Sequence, residues 1–541
     1  MSSNAEAAEI FRSIADLLDV MGERFKPEAY RRAARSIDAL TEDLATVAAR
    51  GELRSVPGVG EAIEEKVREY LATGHMAYLD RLQKEVPPGV AELLRVPGLG
   101  PKTARRFWVE LGLEGPAELL AAIDAGRLAG VKGFGEKKIA QIRTSVEAAR
   151  GAGTATRLPI EQAYPVAQRI VQALRDGAGA DRVEVAGSFR RGRETVGDLD
   201  VLVTSRDPAR AFDLFSALPE VREVRLRGST KETVVLKNGL QVDLRVVEPE
   251  AFGAALQYFT GSKDHNVLVR TLAKDAGLRV NEYGVYRGEE RVAGTTEEDV
   301  YRALGLAWIP PELREARGEV EAARAGPLPP LVDDAALRGD LHVHLGPDAD
   351  GARVDALLAE ARRRTYAYLG VVVAGVDGDG HDFQLSPSVL ERLRAASSAK
   401  MRVFRWHEGD RAPATGAARA WDGFVLRPTS RALAPPSGPL PPGSVPLLTH
   451  LGVPDPASTA RAREWLASAA RRGAAVEVGP GPDRLDSTWA RTTLEQRVRL
   501  LVPTGLGAPA DDPTRPVALA WARRAGATPK DVLNAGPFRV G

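Results

Sequence analysis

Three aspartates carry the first chemical signal in the chain. Asp198 and Asp200 lie in Asp-Leu-Asp-Val-Leu-Val, and Asp243 lies in Val-Asp-Leu-Arg-Val-Val. Both stretches alternate as half-buried strands do, so Asp198, Asp200 and Leu202 share one face. On the second, Asp243 and Arg245 share a face opposite Val242, Leu244 and Val246. Carboxylates crowded together repel, and a divalent cation with hard oxygen ligands relieves that repulsion. Three carboxylates on neighbouring strands suit two Mg²⁺ or Mn²⁺ ions about 3.5–4 Å apart, a clamp for in-line phosphoryl transfer. Upstream, Gly187-Ser188 ends a Val-Glu-Val-Ala strand and opens a loop rich in arginine. Its N–H groups and hydroxyl can cradle a phosphate, with Arg191 as charged partner. An isolated Asp-x-Asp is a solvated strand edge roughly ten times more often than a metal site. The Gly-Ser loop, the arginines and the later Val-Asp-Leu-Arg reverse that weighting here.

The run Gly187-Ser-Phe-Arg-Arg-Gly-Arg-Glu-Thr-Val-Gly-Asp-Leu-Asp200 resembles the signature of the DNA polymerase beta nucleotidyltransferase superfamily, and within it the family X DNA polymerases. The resemblance implies that Asp198 and Asp200 bridge both metals. Asp243 would bind the catalytic metal alone and position or deprotonate a primer 3′-hydroxyl. Gly187, Ser188, Arg191 and Gly197 would surround the nucleotide phosphates. Tyr258-Phe-Thr-Gly-Ser-Lys-Asp-His-Asn266 resembles the family's nucleotide-selecting segment. There Tyr258, Phe259 and Gly261 would sit against the incoming sugar, and Asn266 would meet the base. Arg270 would probe the template strand, and Arg245 is carried over as a DNA contact. His265 reads as a polar helix residue.

The totals set bounds. At 541 residues the chain holds several domains. Its 74 basic and 73 acidic residues nearly cancel, so DNA affinity must come from local patches and backbone N–H groups. There are no cysteines, which excludes disulfides and thiolate metal sites. No signal peptide and no apolar run of about 20 residues is present, so a soluble cytoplasmic protein is expected.

The elements that position the site read as follows. Residues 1–86 are helical, with Ile10, Ile14, Leu17, Leu18 and Met21 at helical spacing and a second helix after Pro27. Val56-Pro-Gly-Val-Gly60 recurs as Val96-Pro-Gly-Leu-Gly100 and as Val131-Lys-Gly-Phe-Gly135. Such glycines let a tight turn approach a phosphate, and the helix behind offers free N–H donors. One copy is a plain helix connection; three resemble helix-hairpin-helix motifs. Gly58, Gly60, Gly98, Gly100, Lys102, Gly133 and Gly135 would then grip DNA without reading sequence. The first segment also resembles the lyase domain of DNA polymerase beta. By that resemblance Lys66 takes the Schiff-base position, with Lys26 and Tyr30 beside it, although the family's phosphate-binding lysine is Ala62 here. Lys66 reads equally as a plain helix lysine.

After Ala325-Gly-Pro-Leu-Pro-Pro330 comes Gly339-Asp-Leu-His-Val-His344, whose two imidazoles share a strand face and can chelate a transition metal. This resembles the polymerase and histidinol phosphatase (PHP) domain, a β/α barrel with a trinuclear site. Asp350, Glu408 and His450 can be placed on its pattern, but expected ligand-bearing strand ends read Ala374, Leu-Arg-Pro428 and Thr-Gly-Leu-Gly507. The barrel is expected to be kept with its chemistry stripped, and His381 and His407 to be surface residues.

The expected fold is multidomain α+β. It comprises a lyase-like helical domain (1–86), a fingers-like helix-hairpin-helix domain (87–153), an α/β palm (154–250) and a thumb (251–322). A linker (323–335) and a degenerate PHP domain (336–541) follow. The expected function is DNA-directed DNA polymerase with two Mg²⁺ or Mn²⁺ ions, filling short gaps in repair as a monomer. Its partners would be gapped or primer-template DNA and dNTPs. Two alternatives stand beside it: a nucleotidyltransferase on another acceptor, and a non-enzymatic DNA-end scaffold.

Overall fold

The structure, a computed structural model, describes most of residues 3–146, 157–409 and 475–538. Between 410 and 474 it describes the strand residues 423–426 and 447–448 and a few helical positions. It divides into two compact units, Met1–Thr156 and Arg157–Gly541.

The first unit is helical. Helices Ser3–Met21, Lys26–Asp38, Glu61–Thr73 and Ala77–Glu85 are followed by the shorter Pro88–Leu93, Pro101–Arg105 and Pro116–Asp124. Pro27 stands in a first turn, where its missing N–H is no loss. One apolar core runs from Ala7 to Val146, across the expected boundary at 86/87. The Arg105 guanidinium also donates to the Val20 carbonyl across it, at 2.9 Å.

The three glycine turns share one backbone hydrogen bond. Val59 N–H donates to the Val56 carbonyl, Leu99 to Val96 and Phe134 to Val131, each at 3.0 Å. Gly60, Gly100 and Gly135 then accept from Ile63, Thr103 and Ile139 as each helix begins. Gly58 takes φ +86°, a conformation that glycine adopts without strain. Gly98 and Gly133 lie outside the described residues.

In the second unit, β1 (Ala180–Val185), β2 (Asp198–Ser205), β3 (Val221–Arg227), β4 (Lys231–Leu236) and β5 (Gln241–Val246) form a sheet in the order β1-β2-β5-β4-β3. Only β2 and β5 pair in parallel. Leu199, Val201, Val203, Val242 and Leu244 pack on one face against helices Ile160–Gly177 and Pro208–Ser216. Leu202 faces the other way, onto Phe252, Ala255 and Leu256 of helix Phe252–Thr260. Strands β6 (Arg279–Asn281), β7 (Gly284–Arg287) and β8 (Glu290–Ala293) form a small antiparallel sheet in the next region. Its Val280 and Val285 share a core with Val269, Val300 and Tyr301 of the adjoining helices.

The carboxy-terminal sheet contains β9 (Gly339–His344), β10 (Tyr368–Val376), β11 (Asp382–Gln384), β12 (Arg402–Gly409), β13 (Gly423–Leu426), β14 (Leu447–Leu448), β15 (Ala475–Glu477) and β16 (Arg499–Leu501). All its pairings are parallel except β11 on β10. Leu341, Tyr368, Phe404, Trp406, Ala475 and Leu501 form one cluster. They come from strands at both ends of the order, so the sheet curls back on itself. Asn534 staples the seam: its amide donates to the Val502 and Gly339 carbonyls at 2.7 and 3.0 Å and accepts from Val502 N–H.

The expected linker 323–335 is packed. Val332 is buried, and its N–H donates to the Ala527 carbonyl at 2.8 Å. Ile160, Tyr164 and Phe189 of the five-stranded region share a core with Val517, Trp521 and Ala522 of helix Thr514–Arg524. Apolar contact, rather than a tether, joins the carboxy-terminal region to the rest of this unit.

Candidate active site

Register brings the aspartates together. Asp200 stands opposite Asp243 across the parallel β2–β5 ladder, and Asp198 opposite Gln241. Neighbouring strands lie about 4.8 Å apart, and Asp198 stands two residues along β2 from Asp200 on the same face. Burial first, then the Asp198 and Asp243 carboxylates, push Asp200 up to about 7. Asp243 is buried and heavily engaged. Thr233 Oγ1 donates to its Oδ1 at 2.8 Å, and Lys231 Nζ lies 2.5 Å from its Oδ2. Both partners come from β4, where Thr233 is in register with Asp243 and Lys231 with Arg245.

Gly187-Ser188 does not form the expected loop. It opens a single helical turn, Gly187–Arg190, directly after β1. Gly187 has φ +66°, and a Cβ there would stand 3.0 Å from Asp200 Oδ2. Only glycine combines that conformation with so close a carboxylate. Gly197 sits where a Cβ would meet the Arg157 guanidinium at 3.2 Å. Arg191 is largely buried: its Nε donates to Glu315 Oε1 at 3.0 Å and its Nη1 to the Thr260 carbonyl. Gly261, with φ +68°, admits that guanidinium, since a Cβ would lie 3.2 Å from Arg191 Nη1.

Helix Phe252–Thr260 delivers Tyr258 and Phe259 beside this turn. Tyr258 and Phe259 stack edge to face, with ring centroids 5.2 Å apart. Asn266 donates to the Tyr258 carbonyl at 2.7 Å and accepts from Gln257 at 2.8 Å, so it is fastened to that turn. Arg245 lies over the Phe259 ring, 4.3 Å from its centroid, and 3.8 Å from Asp243. Arg270 is exposed, with Nε on the Asn266 carbonyl at 3.3 Å. His265 is fully buried between Glu319 and Tyr301, at 2.7 and 2.9 Å, and so is a core residue of its helix.

A buried ion network fastens the helical turn to the small-sheet region. Arg190 makes two bonds to Glu297, at 2.8 and 2.9 Å, and Arg314 pairs with the same carboxylate. Burial raises Glu297, but Arg314 and Arg190 overcome it and hold its pKa at about 2.

Among the described residues, no group of three or more His, Asp or Glu side chains converges to hold a metal ion. Lys231 supplies the positive charge at Asp243 instead. The donor set nonetheless fits Mg²⁺ or Mn²⁺: the oxygens are hard, and Asp200 is raised by burial and then by neighbouring carboxylates whose repulsion a cation would relieve.

The other expected sites fare differently. His342 and His344 do meet, with Nε2 atoms 3.0 Å apart, and His342 Nδ1 lies 2.8 Å from Glu477. Asp350 caps helix Gly351–Arg363 by accepting from Arg353 N–H. Asp340 accepts from His342 N–H and from Thr504. His381 and His450 lie outside the described residues, as do the side chains of His407 and Glu408. In the first unit Lys66 donates to the Ala62 carbonyl at 2.8 Å and lies 4.8 Å from the centroid of Tyr78, which stacks on Tyr30. Lys26 is exposed and pairs with Glu23. Lys102 stands in the first turn of helix Pro101–Arg105.

Sequence reasoning passed over Lys231, Thr233, Glu315 and Arg524. The period-two alternation of Lys231 and Thr233 was a usable signal, because it puts both on one face of β4. Nothing local marks Glu315 or Arg524.

A DNA polymerase beta thumb model matches residues 255–315. A helix-hairpin-helix domain model matches 2–76, and a SAM-like helix-hairpin-helix tandem matches 90–147. The chain is 35% identical over 369 residues to the DNA polymerase/3′-5′ exonuclease PolX of Bacillus subtilis, covering 67% of this chain and 63% of that protein. It is 30% identical over 350 residues to DNA polymerase lambda of Rattus norvegicus, covering 58% and 56%. The chain thus spans less than two thirds of the length of these two relatives. With three matched models along its length and this similarity across two thirds of it, the chain belongs to the family X DNA polymerases.

Proposed function

We propose that the chain is a DNA-directed DNA polymerase that fills short gaps during repair. The observation that carries this reading is the Asp200–Asp243 pairing, with Asp198 on the same face and the Gly187 turn against Asp200. Asp198, Asp200 and Asp243 would hold two Mg²⁺ or Mn²⁺ ions. When bound, such ions stabilise charge on the transferring phosphoryl group and lower the pKa of the attacking hydroxyl. The primer 3′-oxygen attacks the α-phosphorus of a dNTP, and the bond to pyrophosphate breaks. Asp243 orients the hydroxyl and receives its proton. Ser188 and Arg191 neutralise the leaving pyrophosphate. Tyr258, Phe259 and Asn266 hold the sugar and base, and the helix-hairpin-helix turns grip the DNA backbone.

The five-stranded region reads as the palm and residues 251–322 as the thumb. The curled parallel sheet reads as a PHP-type barrel without a working nuclease site. Supporting that are the helix-capping role of Asp350 and the Ala and Gly residues at strand ends. Lys66 beside Tyr78 is the candidate for any lyase step. The test is primer extension on gapped DNA with Mg²⁺ or Mn²⁺ and each dNTP. Template-directed incorporation supports the reading, and no incorporation with either metal overturns it.

A further inference from the structure

The carboxy-terminal region reaches Arg191 through the Arg524 side chain. Arg524 ends helix Thr514–Arg524 and is 4% exposed. Its Nη1 donates to Glu315 Oε1 at 2.6 Å and to the Arg191 carbonyl at 3.2 Å. Its Nε donates to Ser487 Oγ at 3.1 Å, and Ser487 donates in turn to Glu194. Glu315 Oε1 is also the oxygen that Arg191 Nε uses. Burial raises Glu315, but Arg524, Arg191 and Arg193 together hold its carboxyl well below the usual range. The same helix is seated on both flanks. A Cβ at Gly192 would meet Ala520 Cβ at 3.0 Å, and Arg523 pairs with Glu312 at 2.6 Å.

We propose that Arg524 is a positioning residue for nucleotide binding, so that the barrel is retained as a structural part of the polymerase site. This rests on the polymerase reading above. A dNTP triphosphate and Glu315 compete for the one guanidinium of Arg191. In a buried setting a carboxylate left with only the more distant Arg193, at 3.7 Å, would win much of that competition, because low dielectric strengthens the pair. Arg524 takes up the Glu315 charge and leaves Arg191 available to phosphate. Its bond to the Arg191 carbonyl also holds the backbone from which that side chain projects.

The experiment uses the full chain, with gapped DNA carrying a normal or a dideoxy-terminated primer. The first primer reports KM and kcat for extension; the second reports dNTP affinity without turnover. Arg524→Met should raise KM and the dNTP dissociation constant about tenfold while kcat changes less than about threefold. Arg524→Lys should lie between it and wild type. Adding Glu315→Gln to Arg524→Met should bring dNTP affinity back toward wild type, since the competing charge is gone. A purely structural role predicts the opposite, a double variant worse than either single one. Should Arg524→Met fail to fold, Arg524→Lys and Glu315→Gln alone decide. Affinity weakened in the first and not in the second supports the inference; the reverse overturns it. Unchanged dNTP affinity in folded Arg524→Met overturns it while leaving the polymerase reading intact. A wild-type chain that extends no primer overturns both.

Discussion

Asp200 and Asp243 stand directly opposite each other across the one parallel ladder of a five-stranded sheet. Lys231, from the strand on the far side of β5, closes on Asp243 at 2.5 Å. Two like charges and one cation thus share a face whose reverse is a packed apolar core.

Asp243→Ala should abolish nucleotide addition and leave DNA affinity within about twofold, because on the proposed reading it removes a metal ligand and no phosphate contact. Primer extension and fluorescence anisotropy on the same gapped DNA check both halves. Wild-type-like extension by the purified variant would overturn the role given to Asp243.

The raised Asp200 carboxyl gives the metal response a definite pH direction. Its folded-state value of about 7 lies above the usual 3.8, so the folded chain holds a proton that the unfolded chain releases between these values. Stability from this group therefore falls as pH rises through that window. On the proposed two-metal reading a divalent cation would displace the proton and bind the carboxylate, so the Tm increase produced by Mg²⁺ should be larger at pH 8 than at pH 5.5. Asp200→Asn should flatten the difference, as read by thermal denaturation at both pH values.

The Glu297 network should report on stability. The carboxyl is held at about 2 against a usual 4.5, so its contribution is present above pH 4.5 and lost as pH falls through 2. The shift corresponds to about 3 kcal/mol. Glu297→Ala leaves Arg190 and Arg314 without their shared carboxylate and should destabilise the second unit by a comparable amount. Urea unfolding at pH 7 measures this, and a change under about 0.5 kcal/mol would be surface-like behaviour.

Residues 1–156, a compact unit with its own core, should bind DNA without sequence preference. Affinity should fall steeply with salt, as expected of phosphate contacts made by three glycine turns. A titration of unrelated duplexes at several ionic strengths checks it; a flat salt response would count against those turns as the contact.

The full chain should show little or no 3′→5′ degradation of single-stranded DNA with Mn²⁺ or Zn²⁺. Of the ligands expected for a trinuclear site, His342 and His344 come together, whereas Asp350 is a helix cap. Metal-dependent degradation that disappears in His342→Ala would show that the remaining groups suffice.

Much of this was legible in the chain itself. Alternation places Asp198 with Asp200 and Asp243 with Arg245, because successive strand residues face opposite ways whatever the tertiary context. The glycine turns were readable for the same reason: their i to i+3 bonds, and the positive φ of Gly58, are local. Strand order and register were not local. That Asp200 meets Asp243, and that Lys231 and Thr233 flank it, follows from which strands pair and where, and packing of the whole sheet decides that. The Arg524–Glu315–Arg191 contact joins positions more than 100 residues apart at each step. Neither spacing nor composition encodes such a meeting; the shared apolar core of Phe189 and Trp521 brings the two regions together.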